Sequence, residues 1–176
     1  MAIVVSHIES SFDALVAQAL RQAALADVIE LCHVARDSGF SAVSMPQHWV
    51  SYPTLIAMAG GEAVGVPPVP DSGFVHDGAT IERAAREHGA SGILLNFPNN
   101  PSGAVATREQ MQAIVDAAVA NDMWIVSDEI YATLLYDDAV HVSPAQLDGG
   151  RERTIVVNGF TKSHTLTGWR TSFMAA

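Results

Sequence analysis

The chain has 176 residues, 49% of them hydrophobic, with a mean hydropathy of +0.21, which suits one globular core and is too apolar for a disordered chain. A formal net charge of −10 argues against nucleic acid or an anionic membrane as partner, since both repel such a surface. Cys32 is the single cysteine, so no internal disulfide can form, and no apolar run approaches the about 18 to 20 residues that span a bilayer.

In chain order, the start MAIVVSHIESSFD lacks a basic stretch followed by a long apolar core, and we expect a cytoplasmic chain. Residues 10–37 carry a helical, Ala-rich pattern, with Leu25, Val28, Ile29 and Cys32 on one face until Ser38-Gly39 closes it. Residues 42–45 read as a short strand, 53–59 as a helix, and 62–66 as a second strand before the Pro/Asp/Gly loop at 67–73. Ile81, Ala84, Ala85 and His88 make one helix face; 92–96 is a strand; Met111, Ile114, Val115 and Ala118 make the next face, opened by a capping box of Thr107 and Gln110. Residues 123–127 and 154–158 are further apolar strands. Such alternation predicts an α/β fold, a mainly parallel sheet with helices on both faces.

Ligands of open parallel sheets gather at the carboxyl ends of the strands. The three late strands are followed by FPNNPSG, by Asp128-Glu129-Ile130-Tyr131 and by GFTKSHTLTGWR. Their ends therefore present an amide, a carboxylate with a phenol, and a lysine with an arginine. Each has an ordinary structural reading when taken singly. Asn99 to Gly103 is turn chemistry, Asp128 can cap a following helix, Lys162 and Arg170 can be solvated surface charges, and Trp49 and Tyr131 can be core aromatics. The seven histidines lack a ligand spacing and read as structural.

As an ordered set, LLNFPNNPSG, VSDEIY and VNGFTKSHTLTGWR resemble three successive motifs of the class I/II (fold-type I) aminotransferases. WVSYP, AGGEAVGVP and HVSPAQL are similar to that family as well. The resemblance implies pyridoxal 5'-phosphate as cofactor, an amino acid and a 2-oxo acid as substrates, and a homodimer in the parent family. It implies that Lys162 joins the cofactor aldehyde as a Schiff base and, once displaced, shuttles a proton between the substrate α-carbon and cofactor C4′. Asp128 would face the pyridine nitrogen and keep it protonated. Asn100 and Tyr131 would bond the phenolic oxygen, Arg170 would grip the phosphate, and Trp49 would stack on the ring. Thr161 or Ser163 would add a hydroxyl to the phosphate cup.

Several features depart from the family pattern. The phosphate-binding Gly/hydroxyl-rich loop upstream of Gly39 is replaced by Arg21-Gln22-Ala23-Ala24-Leu25, and Gly159 stands where many relatives have serine. We expect the family's small domain, with the arginine for the substrate α-carboxylate, to lie outside these residues. We therefore expect residues 49–176 to form a partial large domain truncated before the small domain. Residues 1–48 would be a divergent helix-strand segment. ADVIELCHVARDSGFSAVSMPQHW is also similar to the opening unit of luciferase-like flavin monooxygenases, which leaves open a join near His48-Trp49, a divergent aminotransferase start, and a flavin-dependent oxidoreductase. A carbon-sulfur lyase of the same fold and a non-catalytic fragment stand beside the aminotransferase.

Overall fold

The computed structural model describes residues 2–6, 52, 53, 55–57, 59–69, 71–169 and 171–176. The predicted helix at 10–37 and strand at 42–45 lie outside the described residues, as do Trp49 and Arg170. The described chain builds one six-stranded sheet. Its strands are β1 (Ala2–Ser6), β2 (Glu62–Val66), β3 (Ala90–Asn96), β4 (Trp124–Asp128), β5 (Thr154–Gly159) and β6 (Ser172–Ala175). Its helices are α1 (Gly78–His88), α2 (Arg108–Ala120) and the short α3 (Phe160–Ser163), with 3-10 turns at Pro144–Gln146 and Arg151–Arg153.

The strands are ordered β2-β1-β3-β4-β5-β6. β3, β4 and β5 pair in parallel, while β1 is antiparallel to both its neighbours and β6 is antiparallel to β5. Hence β2 to β5 all point one way and only β1 and β6 oppose them, in keeping with the expected α/β class. The predicted strands at 62–66, 92–96, 123–127 and 154–158 recur within one or two residues. β1 and β6, which the patterning did not single out, complete the sheet.

Period-2 alternation divides the two faces. On β3, Ile93 and Leu95 enter the main core together with Ile125 of β4 and with Ile81, Ala85, Met111, Ile114, Val115 and Ala118 of α1 and α2. Leu94, from the opposite face of β3, packs instead with Tyr52 and Ile56, both helical in the described residues 52, 53 and 55–57. The expected face of α2 is buried in full; on α1, His88 is exposed and only Ile81, Ala84 and Ala85 turn inward.

Local chemistry explains where the helices begin and end. Asp77 caps α1 by accepting from the Thr80 amide at 2.6 Å, and Gly89 closes it in the left-handed conformation at φ 59°, which glycine adopts without a Cβ penalty. The Thr107–Gln110 capping box is present in both directions, at 2.9 and 3.2 Å. Gly78 opens α1 where it touches α2. A Cβ there would lie 2.3 Å from the Ala113 carbonyl oxygen, so the two helices meet only because this residue has no side chain.

His76 is an anomaly inside this core. It is 2% exposed, its ring lies edge-on to Phe97 at 6.4 Å, and among the described residues neither ring nitrogen has a hydrogen-bond partner of ordinary geometry. Burial pushes its pKa down to about 4, with the Pro67 carbonyl and Asp77 acting the other way.

Two outcomes follow from the packing. Gly78→Ala is expected to lower stability by about 2 kcal/mol or more, since backbone rather than a flexible side chain must give way; denaturant titration measures it, and an unchanged midpoint would refute the close contact. For His76 the folded value lies below the unfolded one, so the neutral ring's contribution is complete above pH about 6.5 and is lost as pH falls toward about 4. His76→Leu should flatten the stability profile across that window by on the order of 1–3 kcal/mol; superimposable profiles would contradict this.

Candidate active site

The parallel register sets the tips of β3, β4 and β5 side by side. Asn96 pairs with Asp128, and Asp128 in turn with Val157, two residues before β5 ends at Gly159. Three chain segments therefore leave the sheet together. Residues 97–103 form the first, a turn closed by Gly103 N–H to Asn99 O at 2.7 Å. A turn at 130–133 is the second, and α3 is the third.

Asn96 joins the first two. Its Nδ2 donates to the Asp128 carbonyl at 3.2 Å, and its Oδ1 accepts from the Asn100 amide at 3.3 Å. Asn96 is itself buried, so these bonds satisfy a side chain that would otherwise be costly at the strand tip. Asn100 is thereby aimed at the second segment, where its Nδ2 donates to the Tyr131 hydroxyl at 3.3 Å. Lys162 arrives from α3 with Nζ 5.9 Å from the Tyr131 ring centroid, within cation-π range. Asn100, Tyr131 and Lys162 thus form a continuous chain of contacts across three strand tips.

Asp128 caps a turn, not a helix. Its Oδ1 accepts from the Ile130 amide at 3.1 Å, and residues 130–133 stay a turn, so the spacing from Asp128 to Tyr131 comes from an Asx-type bend. The Tyr52 hydroxyl donates to Asp128 Oδ2. Burial, then the charge and hydrogen bond of Asp128, push the Tyr52 hydroxyl far above the ordinary phenol range, so it remains a donor at any working pH.

Tyr52 was missed in the sequence, where WVSYP counted only as part of a family resemblance. Its 76-residue separation from Asp128 leaves no local signal; the one clue is the tyrosine itself, an aromatic with a polar tip. Of the two hydroxyls considered beside Lys162, Ser163 Oγ is already engaged with the Gly159 carbonyl at 3.2 Å and His164 Nδ1 at 2.8 Å. Thr161 is half-buried. A Cβ on Gly159 would come within 2.8 Å of the Thr171 carbonyl oxygen, so serine does not fit there without moving β6.

Pyridoxal 5'-phosphate offers a ring nitrogen that wants an acid, a phenolic oxygen that wants donors and an aldehyde that wants an amine. The side chains assembled here are a carboxylate, an amide N–H with a phenol, and a primary amine, so the donor set suits that group. Tyr52→Phe should cost about 1–3 kcal/mol, because it strips a donor from a half-buried carboxylate; calorimetry measures the loss, and a neutral substitution would mean that the contact contributes nothing.

Comparison with known proteins gives the same direction. The model of the family "Aminotransferase class I and II" matches residues 23–176, reaching well into the stretch before residue 49. A probable aspartate/prephenate aminotransferase of Thermus aquaticus is 40% identical over 137 residues, covering 78% of this chain and 35% of that protein. An aspartate aminotransferase of Bacillus subtilis is 37% identical over 146 residues, covering 82% of this chain and 37% of its own length. Among solved structures, the aromatic aminotransferase of Pyrococcus horikoshii superposes with a TM-score of 0.72 at 34% identity, over 86% of this chain and 42% of that one. The chain therefore spans about two fifths or less of the length of these relatives. With a family model matched over most of its residues and relatives at about 40% identity over most of its length, this chain belongs to the class I and II aminotransferases.

Proposed function

We propose that this chain carries the cofactor-binding core of a pyridoxal 5'-phosphate-dependent aminotransferase, which exchanges an amino group between an amino acid and a 2-oxo acid. The observation that carries the proposal is the convergence of Asp128, Asn100, Tyr131 and Lys162 on adjoining strand tips. Residues 49–176 would be part of the large domain, and the portion of the relatives' length that this sequence does not span would carry the small domain. A cytoplasmic homodimer is the assembly we propose. No helix among the described residues is long and apolar enough to cross a membrane.

Bound there, the cofactor supplies an electron sink for charge developing at the substrate α-carbon. Asp128, with Tyr52 donating to one oxygen and the Ile130 amide to the other, would keep a proton on the ring nitrogen. The Asn100 amide and Tyr131 hydroxyl, already in contact, would both donate to the phenolic oxygen. The Lys162 amine would hold the cofactor covalently and, when displaced, carry a proton between the substrate α-carbon and C4′. Thr161 and Arg170 would bind the phosphate, and Trp49 would cover the ring face.

Lys162 is the only lysine in the chain, which makes the test simple. Purified protein mixed with pyridoxal phosphate and reduced with borohydride should take up one label per chain on Lys162, saturably, and Asp128→Asn should weaken that uptake by about tenfold or more. Label confined to the amino terminus, or uptake indifferent to Asp128, would defeat the proposal.

A further inference from the structure

A second carboxylate, one residue beyond Asp128, faces the other way. Side chains alternate along extended backbone, so Ser127 and Glu129 lie on the face opposite Asp128. Glu129 continues the ladder through its amide, which donates to Val157 O at 2.8 Å, and its side chain is 5% exposed. Oε1 accepts from Ser127 Oγ at 3.1 Å and from Ser143 Oγ at 2.6 Å. Oε2 meets His141 Nε2 at 2.8 Å. Burial alone would push this carboxyl up, but the bonds from His141 and Ser143 and the His141 charge outweigh it and hold Glu129 below the ordinary carboxylate range.

None of these four side chains has a part in the proposed chemistry, yet they form a densely bonded polar cluster among the described residues. Burying a carboxylate costs several kcal/mol unless its acceptor sites are filled. Two of the partners, His141 and Ser143, come from the far end of an excursion: the chain leaves the sheet after Glu129, carries Tyr131, exposes Tyr136 and Val140, and returns at His141. The returning end is firm, since Val142 and Leu147 are buried in the main core and Ser143 caps the Pro144–Gln146 turn by accepting from the Ala145 amide. One carboxylate thus ties the β4 tip and the start of the Tyr131 turn to the core.

We propose that Glu129 is a positioning residue for Asp128 and Tyr131: its grip on Ser143 and His141 sets the backbone at the β4 tip, so that the Asp128 carboxylate stays on the Tyr52 side while the loop bearing Tyr131 is closed. What Asp128 and Tyr131 are positioned for rests on the aminotransferase reading; the positioning itself is independent of any ligand.

The test labels tyrosine Cζ with carbon-13 in the full chain and follows the Tyr52 resonance, assigned through Tyr52→Phe, without cofactor. Glu129→Ala should move that resonance toward the position of the exposed Tyr136, with helical circular dichroism retained. The double variant His141→Ala/Ser143→Ala should do the same although it keeps the carboxylate, which separates positioning from charge. Glu129→Gln, able to meet the same three partners with His141 in its other tautomer, should stay close to the parent. Where the larger deletions unfold the chain, Ser143→Ala removes one bond and gives the same readout. A Tyr52 resonance unmoved in folded Glu129→Ala, or in folded Ser143→Ala where Glu129→Ala unfolds, overturns the proposal. Pyridoxal phosphate titration is the separate arm. Binding about tenfold weaker in Glu129→Ala is expected, the size seen when a supporting group behind a ligand-holding side chain is lost. Equal affinity in that variant would break the link from positioning to the cofactor, whereas a parent chain that binds no pyridoxal phosphate would sink the functional reading and leave the Tyr52 comparison to judge Glu129.

Discussion

Asn96 opposite Asp128, and Asp128 opposite Val157, is the alignment from which the rest of the site descends. Parallel pairing ends β3, β4 and β5 on one edge, and their backbone hydrogen bonds hold the tips at the spacing of neighbouring strands. A slip of one residue in β4 would turn Asp128 to the face now held by Glu129 and break both polar clusters at once. The register is defended by apolar burial on the same strands, with Ile93, Leu95 and Ile125 directed into the core beneath α1 and α2.

The polar groups at this edge share one logic. Asn96, Ser127 and Glu129 are buried; Asn96 bonds to the neighbouring strand tip and loop, Glu129 to the loop at Ser143, and Ser127 to Glu129 itself, so the desolvation cost of each is met by the geometry that it enforces. Asn96 couples the first tip to the second, and Glu129 couples the second to the segment that packs below. Tyr52 brings in the opposite face of the sheet. His76 stands outside this pattern as a buried ring with no partner of ordinary geometry among the described residues, a cost that the apolar packing around it must offset.

Much of the element pattern was readable from local chemistry. The α2 face of Met111, Ile114, Val115 and Ala118, its capping box, and the boundaries of β2 and β5 all depend on residues within a few positions of one another, where periodicity and capping act. β1 was not readable, because AIVVS is too short to declare itself and earns its place only by pairing with β2 and β3, strands about sixty to ninety residues away. His88 was placed by spacing on the same face as Ile81, Ala84 and Ala85, but in the last turn of α1 it is exposed.

At the candidate site the same division holds. The segments bearing Asn100, Asp128, Tyr131 and Lys162 could be picked out because they lie at or after the ends of apolar strands, which share one edge, and the residues within them were singled out by the family resemblance of their motifs. Their mutual contacts, the bond from Tyr52 to Asp128 and the cluster that Glu129 assembles from Ser127, His141 and Ser143 could not. Residue type and local spacing dictate which groups are available at a strand tip. Which of them touch depends on register and on loops returning from a dozen to more than seventy positions away, and those distances close only when the sheet and its core form together.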